Sequence, residues 1–163
     1  MSKHKLELIA LEECGTQPYF SNVVQLMDIV DWILDQTGPA DIMISTFSTS
    51  EEFVRRLWRM KARGRGLSCS MFCDLRAARK TAGLYTFIRN VFDAVALCEN
   101  HSKALLITNS SHCVAVVTSQ NQTRGDRYEC GIITTDHHTI VKLREGFDAL
   151  AEKSLPIERL ISD

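Results

Sequence analysis

From Val23 to Leu34 the apolar residues Val23, Leu26, Met27, Val30, Ile33 and Leu34 return every three or four positions, while Asp28, Asp31 and Asp35 fall opposite them and Gly38-Pro39 ends the pattern. That spacing predicts an amphipathic helix beginning at Asn22 with one buried face. Asp41-Ile42-Met43-Ile44-Ser45-Thr46-Phe47 is a short apolar run and reads as a buried strand. Ser50-Glu51-Glu52 opens a second helix through Val54, Leu57 and Met60, Gly64-Arg65-Gly66 closes it, and Leu67 to Phe72 reads as the next strand. Strand, helix, strand, helix, strand in this order predicts a parallel-type α/β layer.

The rest of the chain is read the same way. Leu6 to Leu11 is expected to be an opening strand and Gly15 to Ser21 a loop, and a further helix is expected within Arg76 to Phe92. Ala94 to Cys98, Lys103 to Thr108, Cys113 to Thr118 and a segment starting near Glu129 follow as strands, and Thr139 to Lys153 as a closing helix.

Composition narrows the class. With 163 residues, 45% hydrophobic and 24% charged, residues 1–163 fit one globular domain. No apolar run approaches the roughly 20 residues of a membrane span, so a soluble cytoplasmic protein without a membrane partner is expected. The six cysteines are scattered without a CxxC pair and are expected to be reduced core residues. Cys69 and Cys73 share one face of a strand, but cysteines four apart on an extended chain point the same way without reaching each other.

The densest basic run is Arg55, Arg56, Arg59, Lys61, Arg63 and Arg65. Such a stripe can track a nucleic-acid backbone. It can equally be a solvated helix face, since Glu51 with Arg55 and Glu52 with Arg56 are ordinary helical ion pairs worth a few tenths of a kcal/mol each. The net charge of −1 rules out a global basic field. Trp32 and Trp58 fall within helical patterns and are expected to pack. His112, His137 and His138 sit in turn-like sequence without metal-ligand spacing around them.

The chemistry concentrates in one stretch: His101, Lys103, Thr118-Ser119-Gln120-Asn121 and Glu129. A neutral imidazole can attack phosphorus, an ammonium and a carboxamide can hold phosphoryl oxygens, and a carboxylate can orient the imidazole through its second nitrogen. Arg124 and Arg127, between the Asn121 segment and Glu129, are candidates for binding substrate phosphate or for a solvated loop.

His101-Ser102-Lys103 resembles the HxK of the phospholipase D superfamily signature, HxKxxxxD followed by GSxN, and Ser119-Gln120-Asn121 resembles its SxN. Glu129 stands where many members carry a carboxylate. The likeness extends loosely over the whole chain and specifically over residues 99 to 136. The chain departs from the signature at Thr108, where the aspartate would fall, and at Thr118, where the glycine would fall, and its turn Asn109-Ser110-Ser111-His112 is extended.

The resemblance implies an α/β phospholipase D-like layered fold with a mixed sheet flanked by helices. It also implies a metal-independent phosphodiesterase without cofactor. Single-motif members complete their site by dimerising, so a homodimer is expected, with two His101 side chains facing each other. His101 would be nucleophile, Lys103 and Asn121 would bind phosphate, and Glu129 would orient the imidazole, with Ser119 and Thr108 in support. Short single-motif members are mostly nucleases, which makes nucleic acid the expected substrate. Two other readings stay open: a nucleic-acid-binding or scaffolding dimer that has lost catalysis, and a lipid phosphodiesterase or transferase.

Overall fold

The computed structural model describes residues 7–122 and 126–160. Its elements run β1 (Thr16–Ser21), α1 (Leu26–Thr37), β2 (Ala40–Thr46), α2 (Glu51–Ala62), β3 (Gly66–Asp74), α3 (Ala78–Gly83), α4 (Tyr85–Ile88), β4 (Ala94–Cys98), β5 (Ala104–Thr108), β6 (Cys113–Thr118), β7 (Glu129–Thr134), α5 (His137–Lys153) and β8 (Leu155–Pro156), with 3-10 turns at Leu75–Ala77 and Ile157–Leu160. The strands form one mixed sheet in the order β1-β7-β6-β5-β2-β3-β4-β8. β2, β3 and β4 are parallel neighbours, as βαβ crossovers require, whereas β5, β6 and β7 meander antiparallel.

Helices cover both faces. Ile29, Val30 and Ile33 of α1 and Val54 and Leu57 of α2 pack with Ile42, Ile44, Leu105, Val116 and Ile133 into the larger core. Ile140 and Phe147 of α5 meet Ala104, Leu106 and Ala115 on the other face. Because successive strand residues alternate faces, Leu105 and Leu106 enter different cores, and β5 is apolar from Ala104 to Ile107. Acidic positions on α1 take up much of the basic run: Arg56 pairs with Asp28 and Asp31, and Arg65 with Asp31 and Asp35. Lys61 pairs with Asp93, and Arg55 with Glu51 one helical turn away.

The N-terminal expectation fails. Residues 7–10 form no strand, and the segment expected to be a loop is β1. The Ile9 backbone is satisfied by a side chain instead of a ladder: its N–H donates to Gln17 Oε1 at 2.9 Å and its carbonyl accepts from Gln17 Nε2 at 2.6 Å. Leu11 N–H likewise donates to Gln36 Oε1 at 2.7 Å. β1 tolerates Pro18 because it is an edge strand, paired only with β7. The expected single helix within 76–92 is broken into short turns around Gly83-Leu84. Cys69, Cys73 and Cys98 are buried, while Cys130 is exposed.

Candidate active site

The strand ends on one edge of the sheet bring the motif together. β4 ends at Cys98 and β5 begins at Ala104, so residues 99–103 form a loop that carries His101 over this edge. The loop is fastened by Asn100, 5% exposed. Its backbone N–H donates to Asp74 Oδ2 at 2.8 Å, and its amide nitrogen donates to Ser45 Oγ at 2.8 Å and to the Phe72 carbonyl at 3.2 Å. Its amide oxygen accepts from Ser102 N at 2.9 Å and Ser102 Oγ at 2.6 Å, and the Ser102 and Ser45 hydroxyls meet at 2.5 Å. Asp74, itself buried, also accepts from Arg76 N at 2.7 Å.

One carboxamide therefore ties the ends of β2 and β3 to both sides of His101. A buried polar group satisfied this fully fixes the backbone that carries it. His101 itself is exposed, with its ring 5.4 Å from Phe47 at an interplanar angle of 60°. Lys103 Nζ donates to the His101 carbonyl at 3.0 Å, which sets the ammonium beside the imidazole-bearing residue.

The second half of the motif follows β6. Thr118 N–H donates to the Lys103 carbonyl at 3.0 Å and Ser119 N–H to the Cys130 carbonyl at 2.9 Å, so the Ser119-Asn121 segment starts locked between β5 and β7. Thr118, where the resemblance expects glycine, is tied on three sides: its hydroxyl meets the Tyr19 hydroxyl at 2.5 Å, donates to the Cys130 carbonyl at 3.2 Å and accepts from Gln120 N at 3.0 Å. Tyr19 can lie there because Gly131 has no side chain; a Cβ at Gly131 would stand 2.6 Å from the Tyr19 ring. Burial pushes the Tyr19 phenol up to about 12, against the lowering effect of its bond to Thr118.

Beyond Gln120 the segment crosses to α2. Gln122 forms a parallel bridge with Thr49, and Ser50 Oγ donates to the Gln122 carbonyl at 2.7 Å while capping α2 by accepting from Phe53 N. Asn121 and Gln122 line a small pocket with Gln25, Phe53 and Arg56. Within it Asn121 Oδ1 and both polar atoms of the Gln122 side chain are buried and, among the described residues, without a hydrogen-bond partner.

Not every expected residue joins the others. Glu129 accepts a hydrogen bond from the Ser119 hydroxyl, and among the described residues it makes no contact with His101 of its own chain. The sheet order explains this: β7 lies two strands from β5, about 10 Å away at the usual spacing, so the carboxylate reaches β6 but not the His101 loop. Thr108 sits at the far end of β5, opposite Asp41 and Cys113, and so cannot support the imidazole. Arg127 is exposed beside the site, and Arg124 lies outside the described residues. Asn100, Ser45, Asp74 and Tyr19 escaped the motif reading because each acts through a backbone position that only the tertiary fold sets. Among the described residues, no group of three or more His, Cys, Asp or Glu side chains is assembled to hold a metal ion, and no helix is long and apolar enough to cross a membrane.

Neither a protein-family model nor a curated protein sequence matches the chain. Solved structures do. Nuc from Salmonella typhimurium, a phospholipase D family member, superposes with a TM-score of 0.65 over 86% of this chain and 96% of its own, at 17% identity. The fold is phospholipase D-like. NucT from Helicobacter pylori gives a TM-score of 0.64 over 86% of this chain and 99% of its own, at 14% identity. Polyphosphate kinase from Porphyromonas gingivalis gives 0.64 over 90% of this chain but 29% of its own length, at 13% identity. A phospholipase D-like fold thus spans nearly the full length of Nuc and NucT and occurs as part of a larger enzyme, so the chemistry has to be argued from the side chains.

Proposed function

We propose that this chain is a metal-independent phosphodiesterase acting on nucleic acid, with a site completed by a second copy of itself. The observation that carries this reading is the His101 loop: a solvent-facing imidazole on a backbone clamped by Asn100, with Lys103 alongside and the Ser119-Asn121 segment anchored next to it. A surface histidine without a task needs no such clamp; a nucleophile that must meet phosphorus in line does.

In this reading one His101 nitrogen attacks phosphorus as the bond to the leaving oxygen breaks, and the partner copy's imidazolium gives that oxygen its proton. The same partner imidazole then takes a proton from water, whose oxygen bonds to phosphorus as the phosphorus–nitrogen bond breaks. Lys103 and Asn121 hold the non-bridging oxygens, where negative charge builds. Glu129, too far from its own His101, would orient the imidazole of the opposing copy across a two-fold axis. The full-length likeness to Nuc and NucT supports a compact enzyme of this kind.

The test is incubation with single- and double-stranded DNA and RNA in excess EDTA, comparing the unaltered protein with His101→Ala. Cleavage that needs His101 but no metal is expected; cleavage that His101→Ala leaves unchanged would place the site elsewhere.

A further inference from the structure

Two large aromatic rings lie beside the site and belong to neither core. Phe20, near the end of β1, is 74% exposed, and Tyr128, just before β7, is 67% exposed. Their ring centroids are 5.7 Å apart with planes inclined by 33°. The register sets Phe20 opposite Cys130 and Ser21 opposite Glu129, so the pair sits at the same sheet edge as Glu129 and Ser119. Strand alternation turns Tyr19 into the core and Phe20 out of it. Next to the pair Arg127 is exposed and, among the described residues, has no ion-pair partner.

We propose that Phe20 and Tyr128 are a base-stacking platform that makes the site selective for single-stranded nucleic acid, with Arg127 meeting the backbone beside it. The inference rests on the nucleic-acid reading above and names its substrate class. In sheet order β1 stands three strands from β5, about 14 Å at the usual spacing, which is within reach of a few nucleotides of an extended strand whose phosphate lies at His101. An aromatic face rewards an unpaired base of any identity, and a duplex, whose base faces are already stacked, cannot use it. Val117 and Ile132, also exposed, continue the apolar surface away from the edge. Arg127 stands beside the rings as an exposed cation without an ion-pair partner among the described residues. A nucleic-acid strand gives that cation a phosphate.

The experiment uses the full chain carrying His101→Ala, so that strands bind without being cut. Binding by fluorescence anisotropy is measured for a single strand of about 12 nucleotides, an abasic strand of the same length and the matching duplex. The single strand is expected to bind about 10-fold or more tighter than the other two, and Phe20→Ala or Tyr128→Ala to remove about 10-fold of that affinity while leaving duplex and abasic binding unchanged. Phe20→Trp and Tyr128→Trp should keep the preference.

Equal binding of the abasic and normal strands would overturn the platform, as would no measurable binding. So would alanine variants that halve the particle mass in sedimentation but leave the single-strand preference intact, since the rings would then belong to a contact between copies. Absence of cleavage by the unaltered protein, with the preference retained, would count against the phosphodiesterase reading and not against the platform.

Discussion

The two arms of the site are built differently. The His101 loop is held by a closed network in which the polar atoms of the Asn100 carboxamide have partners from β2, β3 and the loop itself. The Ser119-Asn121 arm is held through its backbone and through Thr118, while the Asn121 carboxamide oxygen and the Gln122 side chain are buried without partners among the described residues. The first arm spends its polar groups on position, and the second leaves the buried Asn121 carboxamide oxygen and the Gln122 carboxamide without partners among the described residues. The first arrangement suits an attacking group that must be fixed in advance. In the second, the unpartnered Asn121 oxygen is an acceptor and cannot pair with phosphate oxygens, so in the proposed function Asn121 would hold phosphate through its amide nitrogen.

Removing one carboxamide from each arm should separate the two most widely. Asn121→Ala should cut turnover severely but change urea-unfolding stability by less than about 1 kcal/mol, because its carboxamide oxygen has no intramolecular hydrogen bond to lose. Asn100→Ala should cost about 2 to 3 kcal/mol, since it strips partners from groups of β2, β3 and its own loop, and should also lower turnover by about 100-fold through misplacement of His101. Equal stability losses in the two variants would erase the distinction.

Gly131→Ala tests the support of the second arm. Its new Cβ would meet the Tyr19 ring at 2.6 Å and the Val117 carbonyl at 2.7 Å, and backbone cannot yield cheaply. A loss of about 1 to 3 kcal/mol is expected, readable in the urea midpoint.

Alkaline titration reads the same contact. Burial lifts Tyr19 from 10.0 to about 12 and Cys69 from 9.0 to about 11. Each group holds its proton more tightly folded than unfolded, so its contribution is complete below the unfolded value and is lost as pH rises through the folded one. Thermal stability should therefore fall between roughly pH 9 and 12, and Tyr19→Phe should flatten the upper part of that fall. An unchanged profile in Tyr19→Phe would mean that the phenol is not the titrating group.

Much of this was legible in the residues. The helical periods of α1 and α2, the apolar runs of β2 to β6 and the position of Glu129 at the start of β7 all follow from spacing, because each element buries a face wide enough to mark the sequence. β1 was not legible, because an edge strand carrying Pro18 and a buried Gln17 has neither the propensity nor the alternation of a central one. His101, Lys103, Ser119 and Asn121 stood out by chemistry, whereas Asn100 looked like a turn residue. Its role depends on Asp74 and Ser45, which are far from it in sequence and meet it only when β2, β3 and β4 align.

The smallest effect expected is at the exposed pair of Glu51 and Arg55 on α2, where Glu51→Ala should shift stability by no more than about 0.5 kcal/mol and leave both arms untouched. A larger loss of activity there would draw the α2 N-terminus, and with it Ser50 and Gln122, into the comparison.

In the proposed function the fixed arm carries the nucleophile. Its most direct test is to mix the unaltered protein with a phosphodiester substrate in excess EDTA, quench in alkaline denaturant during turnover, and analyse the modified peptide. A phosphoryl adduct on His101 that survives alkali and is lost in acid, as a phosphoramidate is, with turnover unaffected by the chelator, is the predicted result. Activity that vanishes with EDTA and returns only with Mg²⁺ or Zn²⁺, with no adduct on His101, would contradict it.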